Sequence, residues 1–458
     1  MVHQYKNNGY NIVLDVCSGS VHVVDDLVYD MIAMYKDKKF EEIEQAILEK
    51  YGDTYSKEDI KDAYSDISEL EEKELLFTED VFKDVIIDFK KRKTVVKALC
   101  LHIAHDCNLA CKYCFADEGE YHGQKRELMS LEVGKQAIDF LIENSGNRVN
   151  LEVDFFGGEP LMNFDVVKEI VAYGRSKEKA ANKNFRFTLT TNGMLLNDEV
   201  IDFCNREISN VVLSLDGRKE INDMMRPTRN GKGSYDIIVF VEKRGDKSYY
   251  VRGTFTRNNL DFTKDFELMT ELGFKEISIE PVVTPDENDY AIREEDLPTI
   301  FEQYDKLAVD LIRRQKEGKP VTFFHYKLDL NGGPCVYKRL SGCGSGTEYL
   351  AVTPTGDLYP CHQFVGHDEF KLGDVFHGVE RNDIVEEFKL CNVYAKDKCK
   401  DCFARFYCSG GCAANSYQFH GNILDAYDVG CELQRKRVEC AIMMKAALAD
   451  DEEDEAAE

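Results

Sequence analysis

The placement of the thiols constrains this fold more than any other feature of the chain. Cys107, Cys111 and Cys114 fall within eight residues of one another, and Cys343, Cys361, Cys399, Cys402, Cys408, Cys412 and Cys431 populate the C-terminal third. Disulfide frameworks belong to small secreted chains. This chain has 458 residues, and its N-terminus lacks the basic start and apolar core of a secretory signal. Clustered thiols in such a chain point to metal or iron–sulfur ligation. The stretch from Gly332 to Cys440, rich in cysteine, glycine and turns, is therefore expected to be held by metal more than by a large apolar core. Six cysteines stand outside both groups: Cys17, Cys100, Cys204, Cys335, Cys391 and Cys440. Buried small hydrophobes are their default role. Cys335, eight residues before Cys343, stays open between ligand and bystander.

The length predicts about three domains at ~150 residues each. Hydrophobic residues make up 43% and charged residues 31%, enough for a large buried core. A net charge of −27 repels phosphate backbones, which excludes a nucleic-acid partner. No run approaches 18 apolar residues, so no membrane span is expected, and the location reads as cytoplasmic.

Residues 1–77 read as a small module. Ile12, Leu14 and Val16, then Val21 and Val23 beyond Ser18-Gly19, predict a β-hairpin. Helices should follow from Asp26, near 40–50, and along Ile60, Tyr64, Ile67 and Leu70. The order is winged-helix-like. The acidic balance of the module argues for peptide binding by strand addition to a hairpin edge; a packing appendage is the plainer alternative. After a charged linker (78–96), strands alternate with helices over 97–283. Strands are predicted at Lys97–Ala104, Leu151–Phe156, Phe185–Thr191, Val211–Leu215, Tyr250–Phe255 and Ile277–Pro281, with helices near 131–143 and 263–272. The fold class is α/β. Six units are too few for a closed eight-stranded barrel, so a partial (β/α)6 barrel is expected, with function at the strand C-termini. Residues 284–334 read as a charged, largely helical bridge, 335–445 as the cysteine-rich domain, and 446–458 as a disordered acidic tail.

Cys107-x3-Cys111-x2-Cys114 directly follows the first barrel strand. Three thiolates on a tight loop can hold three irons of a [4Fe–4S] cluster and leave the fourth open; three of four zinc ligands is the alternative. Gly157-Gly158-Glu159-Pro160 ends the second strand, where glycines let backbone approach a ligand closely. Thr190-Thr191-Asn192-Gly193 ends the third and either contacts a ligand or only turns the chain. Ser214-Leu215-Asp216-Gly217 ends the fourth, Arg226 follows in Met224-Met225-Arg226-Pro227, and Glu280 ends the sixth. In the second group, Cys343-x12-Gly356-x4-Cys361 precedes Cys399-x2-Cys402-x5-Cys408-x3-Cys412 and, after 18 residues, Cys431. A zinc ribbon could use the Cys399/Cys402 pair but leaves the outer cysteines unexplained.

The first loop resembles the signature of the radical SAM superfamily, and the second group resembles the seven-cysteine SPASM domain. The resemblance implies S-adenosylmethionine (SAM) and three [4Fe–4S] clusters. Cys107, Cys111 and Cys114 would hold the SAM-binding, catalytic cluster, with Tyr113 and Phe115 beside the cofactor. Gly157, Gly158, Glu159 and Pro160 would meet the SAM ammonium, Ser214 and Asp216 the ribose, and Arg226 the carboxylate; Thr190 and Asn192 would add polar contacts. Cys399, Cys402, Cys408 and Cys431 would ligate a distal auxiliary cluster fully. Cys343, Cys361 and Cys412 would supply three ligands to a nearer one, its last iron open to substrate or closed by Cys335. His362 follows Cys361 where anaerobic sulfatase maturases carry an Asp base, which counts against that family. The whole is most similar to the maturases that form thioethers in Cys-rich SCIFF precursor peptides, joining Cys to an acceptor residue, by family resemblance a Thr. A leader bound by residues 1–77, a core at the barrel mouth, and a low-potential ferredoxin or flavodoxin are the partners implied. Another SPASM peptide modifier and a non-catalytic iron–sulfur carrier are the alternatives.

Overall fold

A computed structural model describes residues 1–83, 93–240, 250–330 and 336–457. The chain opens with an antiparallel sheet of β1 (Val2–Asn7), β2 (Tyr10–Asp15) and β3 (Val21–Val24) in that spatial order. Helices Asp26–Tyr35, Phe40–Tyr51 and Lys57–Glu72 follow. The first is capped by the Asp25 carboxylate and the third by a Ser56/Asp59 capping box. Strand alternation divides the burial of β2. Val13 packs with Leu27, Met31, Ile43, Ile60 and Ile67 of the helices, while Ile12 and Leu14 join the main core of the protein. The module is thereby welded to the remainder. Its β1 lies on the long helix Asp428–Ala457, where His3 Nε2 pairs with Glu439 at 2.9 Å and the Tyr5 hydroxyl donates to the Glu439 carbonyl at 3.0 Å. β1 itself extends the expected hairpin to three strands.

Six strands follow in parallel: β4 (Ala98–Ala104), β5 (Asn150–Gly157), β6 (Asn184–Thr191), β7 (Asn210–Ser214), β8 (Tyr250–Phe255) and β9 (Glu276–Pro281). They lie in sequence order, each laddered to the next. The six expected units are present, but the sheet does not stop with them. β10 (Thr322–Phe323) adds parallel to β9. β11 (Tyr349–Val352) adds parallel to β4, and β12 (Asp357–Tyr359), β13 (Gly373–Asp374) and β14 (Gly378–Val379) continue antiparallel, giving an 11-stranded mixed sheet. Uncovered edges of β4 and β9 would leave backbone donors and acceptors unpaired, and the added strands pair them.

One further expectation is corrected. The cysteine-rich region has an apolar core: Leu350, Val352, Leu358, Tyr359, Phe364, Val365 and Leu372 are buried in the same cluster as the barrel core. The addition of β11 to β4 makes that core continuous. The helix that begins at Asp428 runs to Ala457, and Ala447 is buried, because Ala446-Ala447-Leu448-Ala449 is strongly helix-forming and keeps the apolar stripe in register. Among the described residues no helix is long and apolar enough to cross a membrane.

Candidate functional site

The C-terminal ends of β4 to β7 converge on a cavity of about 140 Å³. Cys107, Cys111 and Cys114 line it together with Tyr113, Phe115, Gly157, Gly158, Thr190, Asn192, Ser214 and Arg226. The loop after β5 is zipped onto the cysteine loop. The Gly158 amide donates to the Ala104 carbonyl at 2.8 Å and the Glu159 amide to the Asp106 carbonyl at 2.8 Å. A Cβ on Gly158 would lie 2.1 Å from that Asp106 oxygen, so the approach needs glycine. The Asn192 amide reaches Asn108 Oδ1 at 2.7 Å and Cys107 Sγ at 3.6 Å.

Glu159 and Asp216 stand behind this wall. Glu159 is fully buried and accepts from the Asn192 and Leu161 amides and the Thr191 hydroxyl at 2.8–3.0 Å, tying the ends of β5 and β6 together. Burial pushes its carboxyl up to about 7 against those donors. Asp216 is also fully buried and accepts from the Tyr113 hydroxyl and the Thr254 amide. Neither carboxylate, nor Pro160, lines the cavity. Arg226 does. Its Nη1 donates to the Tyr113 hydroxyl at 2.9 Å, and its buried Nε has no partner among the described residues.

A larger cavity, about 570 Å³, adjoins the first and shares Tyr113, Phe115, Phe156, Thr190, Ser214 and Arg226 with it. Its remaining wall carries Arg252, Glu280 and His362 as well as Cys408, Cys412 and Cys431. The C-terminal thiols interact electrostatically. Interactions link Cys399, Cys402, Cys408 and Cys431, and they link Cys343, Cys361 and Cys412, while Cys391 interacts with both Cys343 and Cys399. Cys335 lies outside the described residues. Cys391, assigned no ligand role, shares a small pocket with Cys343. Cys100, Cys204 and Cys440 are buried, while Cys17 and Cys391 are partly exposed.

Burial raises the Cys107 thiol to about 12 and the Cys111 thiol to about 11, and a cation bound among them would favour the thiolates. Soft thiolate donors around this cavity suit an iron–sulfur cluster, and the orphaned Arg226 Nε suits an amino-acid carboxylate next to it. Among the described residues, no three His, Cys, Asp or Glu side chains form a group that could hold a single ion. Arg437, on the C-terminal helix, is a cavity residue that sequence reasoning missed. In the run Gln434-Arg435-Lys436-Arg437 it reads as part of a solvated face.

Six parallel strands within a mixed α/β sheet, with a three-thiol loop at their C-terminal ends, give the class of protein: an α/β fold whose strand ends suit an iron–sulfur cofactor. Residues 101–251 match the model of the Radical SAM superfamily, and the chain thus carries a radical SAM domain. A cysteine-type anaerobic sulfatase-maturating enzyme of Clostridium novyi is 25% identical over 336 residues, 68% of this chain and 86% of the relative. The structure of anSMEcpe with bound AdoMet and Kp18Cys peptide superposes with a TM-score of 0.64 at 20% identity, over 77% of this chain and 99% of that one. Streptococcus suis SuiB bound to precursor peptide SuiA superposes with a TM-score of 0.52 at 15% identity, over 94% of this chain and 98% of that one. At these identities the two structures establish the shared fold.

Proposed function

We propose that this chain is a radical SAM peptide maturase that joins a Cys sulfur to a carbon of an acceptor residue, a Thr, in a Cys-rich precursor of the SCIFF class. The observation that carries this reading is the larger cavity, which opens on the Cys107–Cys114 side through Tyr113 and Phe115 and on the auxiliary side through Cys408, Cys412 and Cys431. A peptide segment there would lie between the two sources of chemistry.

When bound, a [4Fe–4S] cluster and SAM would supply radical chemistry able to remove hydrogen from carbon. The residues of the chain supply the setting. Cys107, Cys111 and Cys114 hold the cluster. Arg226 pairs the SAM carboxylate, kept in place by Tyr113. The Gly157-Gly158 backbone, Thr190, Asn192 and Ser214 contact the rest of the cofactor. Glu159 and Asp216 act from behind, fixing the strand ends and the Tyr113–Arg226 pair rather than meeting SAM themselves. Cys399, Cys402, Cys408 and Cys431 hold one auxiliary cluster, and Cys343, Cys361 and Cys412 the other. The module of residues 1–77 holds the leader along the free edge of β3, which raises the effective concentration of the core peptide at the cavity. The 94% coverage by SuiB, solved with its own precursor, supports that division of labour. A low-potential ferredoxin or flavodoxin delivers the electron.

A sulfatase-maturase type of side-chain oxidation is the second reading, favoured by the Clostridium relative and opposed by His362 at the position expected of an Asp base. Mass spectrometry of a Cys-rich precursor peptide, incubated without oxygen with reconstituted enzyme, SAM and reductant, separates the two. Thioether formation gives loss of two hydrogens, loss of one alkylatable thiol, and a fragmentation gap between Cys and its partner. Conversion of a single residue to an aldehyde, by loss of two hydrogens at a Ser or by loss of two hydrogens with release of sulfide and entry of oxygen from water at a Cys, would replace the thioether reading with the second one.

A further inference from the structure

The charge of the larger cavity opposes that of the chain. The protein has 58 basic and 85 acidic side chains, yet the charged residues on this wall are Arg226, Arg252, Arg437 and one carboxylate, Glu280. Arg226 is engaged at one end with Tyr113. Arg252 of β8 and Arg437 of the C-terminal helix remain, facing Glu280 of β9.

Arg437 is only 6% exposed. Its Nε donates to the Tyr304 hydroxyl at 2.8 Å, which aims the guanidinium. Its Nη1 is 3.8 Å from Glu280 Oε2, an ionic contact too long for a hydrogen bond. Its Nη2 is buried and has no hydrogen-bond partner among the described residues. The other oxygen of Glu280 lies 3.3 Å from His325 Nε2 and accepts from the Ser278 hydroxyl at 3.4 Å, so the carboxylate is shared among three neighbours. Native interiors seldom leave a guanidinium N–H without an acceptor, and a cavity with surplus positive charge asks for an acceptor that brings negative charge.

We propose that Arg437, with Arg252 adding attraction, is a subsite for a carboxylate of the bound peptide. The segment that enters the cavity carries an Asp or Glu side chain, or its own free C-terminus, close to the modified residue. The inference rests on the peptide-maturase reading for the nature of the occupant. A carboxylate matches the planar fork of Arg437. A backbone carbonyl could accept from Nη2 but would leave the excess charge unanswered.

The test uses the full chain, reconstituted with iron and SAM, and three peptides labelled at the N-terminus with a rhodamine. They are Gly-Cys-Ser-Thr-Asp-Gly amide, the same peptide with Asn for Asp, and that Asn peptide with a free C-terminal acid. Binding is followed by anisotropy. At least one carboxylate-bearing peptide should bind about tenfold tighter than the Asn amide, as expected for a charge-assisted pair. A preference for the Asp peptide assigns the side chain, and a preference for the free acid assigns the terminus. Arg437→Gln should erase the preference and Arg437→Lys should keep part of it. Equal binding of all three by the wild type, or no binding by any, overturns the proposal, and so does a preference that survives Arg437→Gln. Release of 5′-deoxyadenosine on reduction is scored separately. Its absence would defeat the radical SAM reading while a measured carboxylate preference stood, and the reverse result would defeat only the subsite.

Discussion

Tyr113 and Asp216 meet at 2.6 Å although 103 residues separate them. The tyrosine hydroxyl donates to the buried carboxylate and accepts from Arg226 Nη1 at 2.9 Å, so it bridges a cation and an anion whose direct separation is 3.8 Å. Tyr113→Phe keeps the ring and removes the bridge. Asp216 would then retain the Thr254 amide, and Arg226 would lose the partner that orients it. Leaving these buried groups underserved should cost roughly 1–3 kcal/mol in urea unfolding. A loss below about 0.5 kcal/mol, within the range of an ordinary surface change, would show that the bridge does not hold the strand ends together.

Gly158→Ala tests the zipping of the two loops. Its Cβ would meet backbone, not the end of a flexible side chain, so the Asp106–Cys107 peptide must move. The expected result is loss of about four iron atoms, one cluster's worth, after reconstitution, together with lost SAM cleavage and a retained far-ultraviolet circular dichroism spectrum. Full iron and full cleavage would mean that the loop has slack which the 2.1 Å approach does not reveal.

The α/β class and the six parallel strands were legible because each strand is a short apolar run closed by a turn or a glycine. Other features were hidden for physical reasons. β1 is too polar to alternate cleanly, although Asn8-Gly9, both with positive φ, is a hairpin signal that names its partner β2. β11 to β14 are strands of two to four residues, shorter than any periodicity can register, and their pairing is decided by the edge of β4. At the candidate site the thiols and Arg226 stood out by spacing. Local sequence could not tell that Glu159 and Asp216 turn away from the cavity, because that depends on which donors the neighbouring strands present. Arg437 reaches the cavity only because the C-terminal helix folds back against Tyr304.

Glu159 gives the protein a pH signature. Its folded carboxyl sits at about 7, raised by burial from an ordinary value of 4.5. A raised carboxylate contributes stability that is fully present below about 4.5 and is lost as pH climbs through about 7. The wild type should therefore lose on the order of 2–3 kcal/mol relative to Glu159→Gln over that window. Gln also places an amide opposite the Asn192 N–H, so the variant should be weaker at low pH and the two curves should approach each other as pH rises. Parallel curves in denaturant titrations across the window would show that Glu159 stays ionised in the fold.

Asp80 sits in the stretch whose sequence reads as a simple charged linker, yet it is one of the best-anchored residues there. Arg405 Nη2 donates to Asp80 Oδ2 at 3.0 Å, and the Tyr394 hydroxyl donates to Oδ1 at 2.7 Å. The Arg405 side chain is 2% exposed, and its Nη1 also donates to the carbonyl of Cys402, between Cys399 and Cys408. The pair thus joins the exit of the N-terminal module to the loop proposed for the distal cluster. Breaking a buried pair from one side leaves an uncompensated charge and costs about 3–5 kcal/mol. Asp80→Asn preserves shape and removes only the charge, so a loss near 3 kcal/mol is expected, with faster release of the N-terminal module by protease and slower regain of auxiliary-cluster iron. The surface pair Lys6–Asp26, with both side chains more than half exposed, provides the comparison: Asp26→Asn should leave stability nearly unchanged and proteolysis unaltered. If Asp80→Asn behaved like that surface variant, the Arg405 contact would be incidental, and the module would be held by the packing of β1 on the C-terminal helix and of Ile12 and Leu14 in the main core.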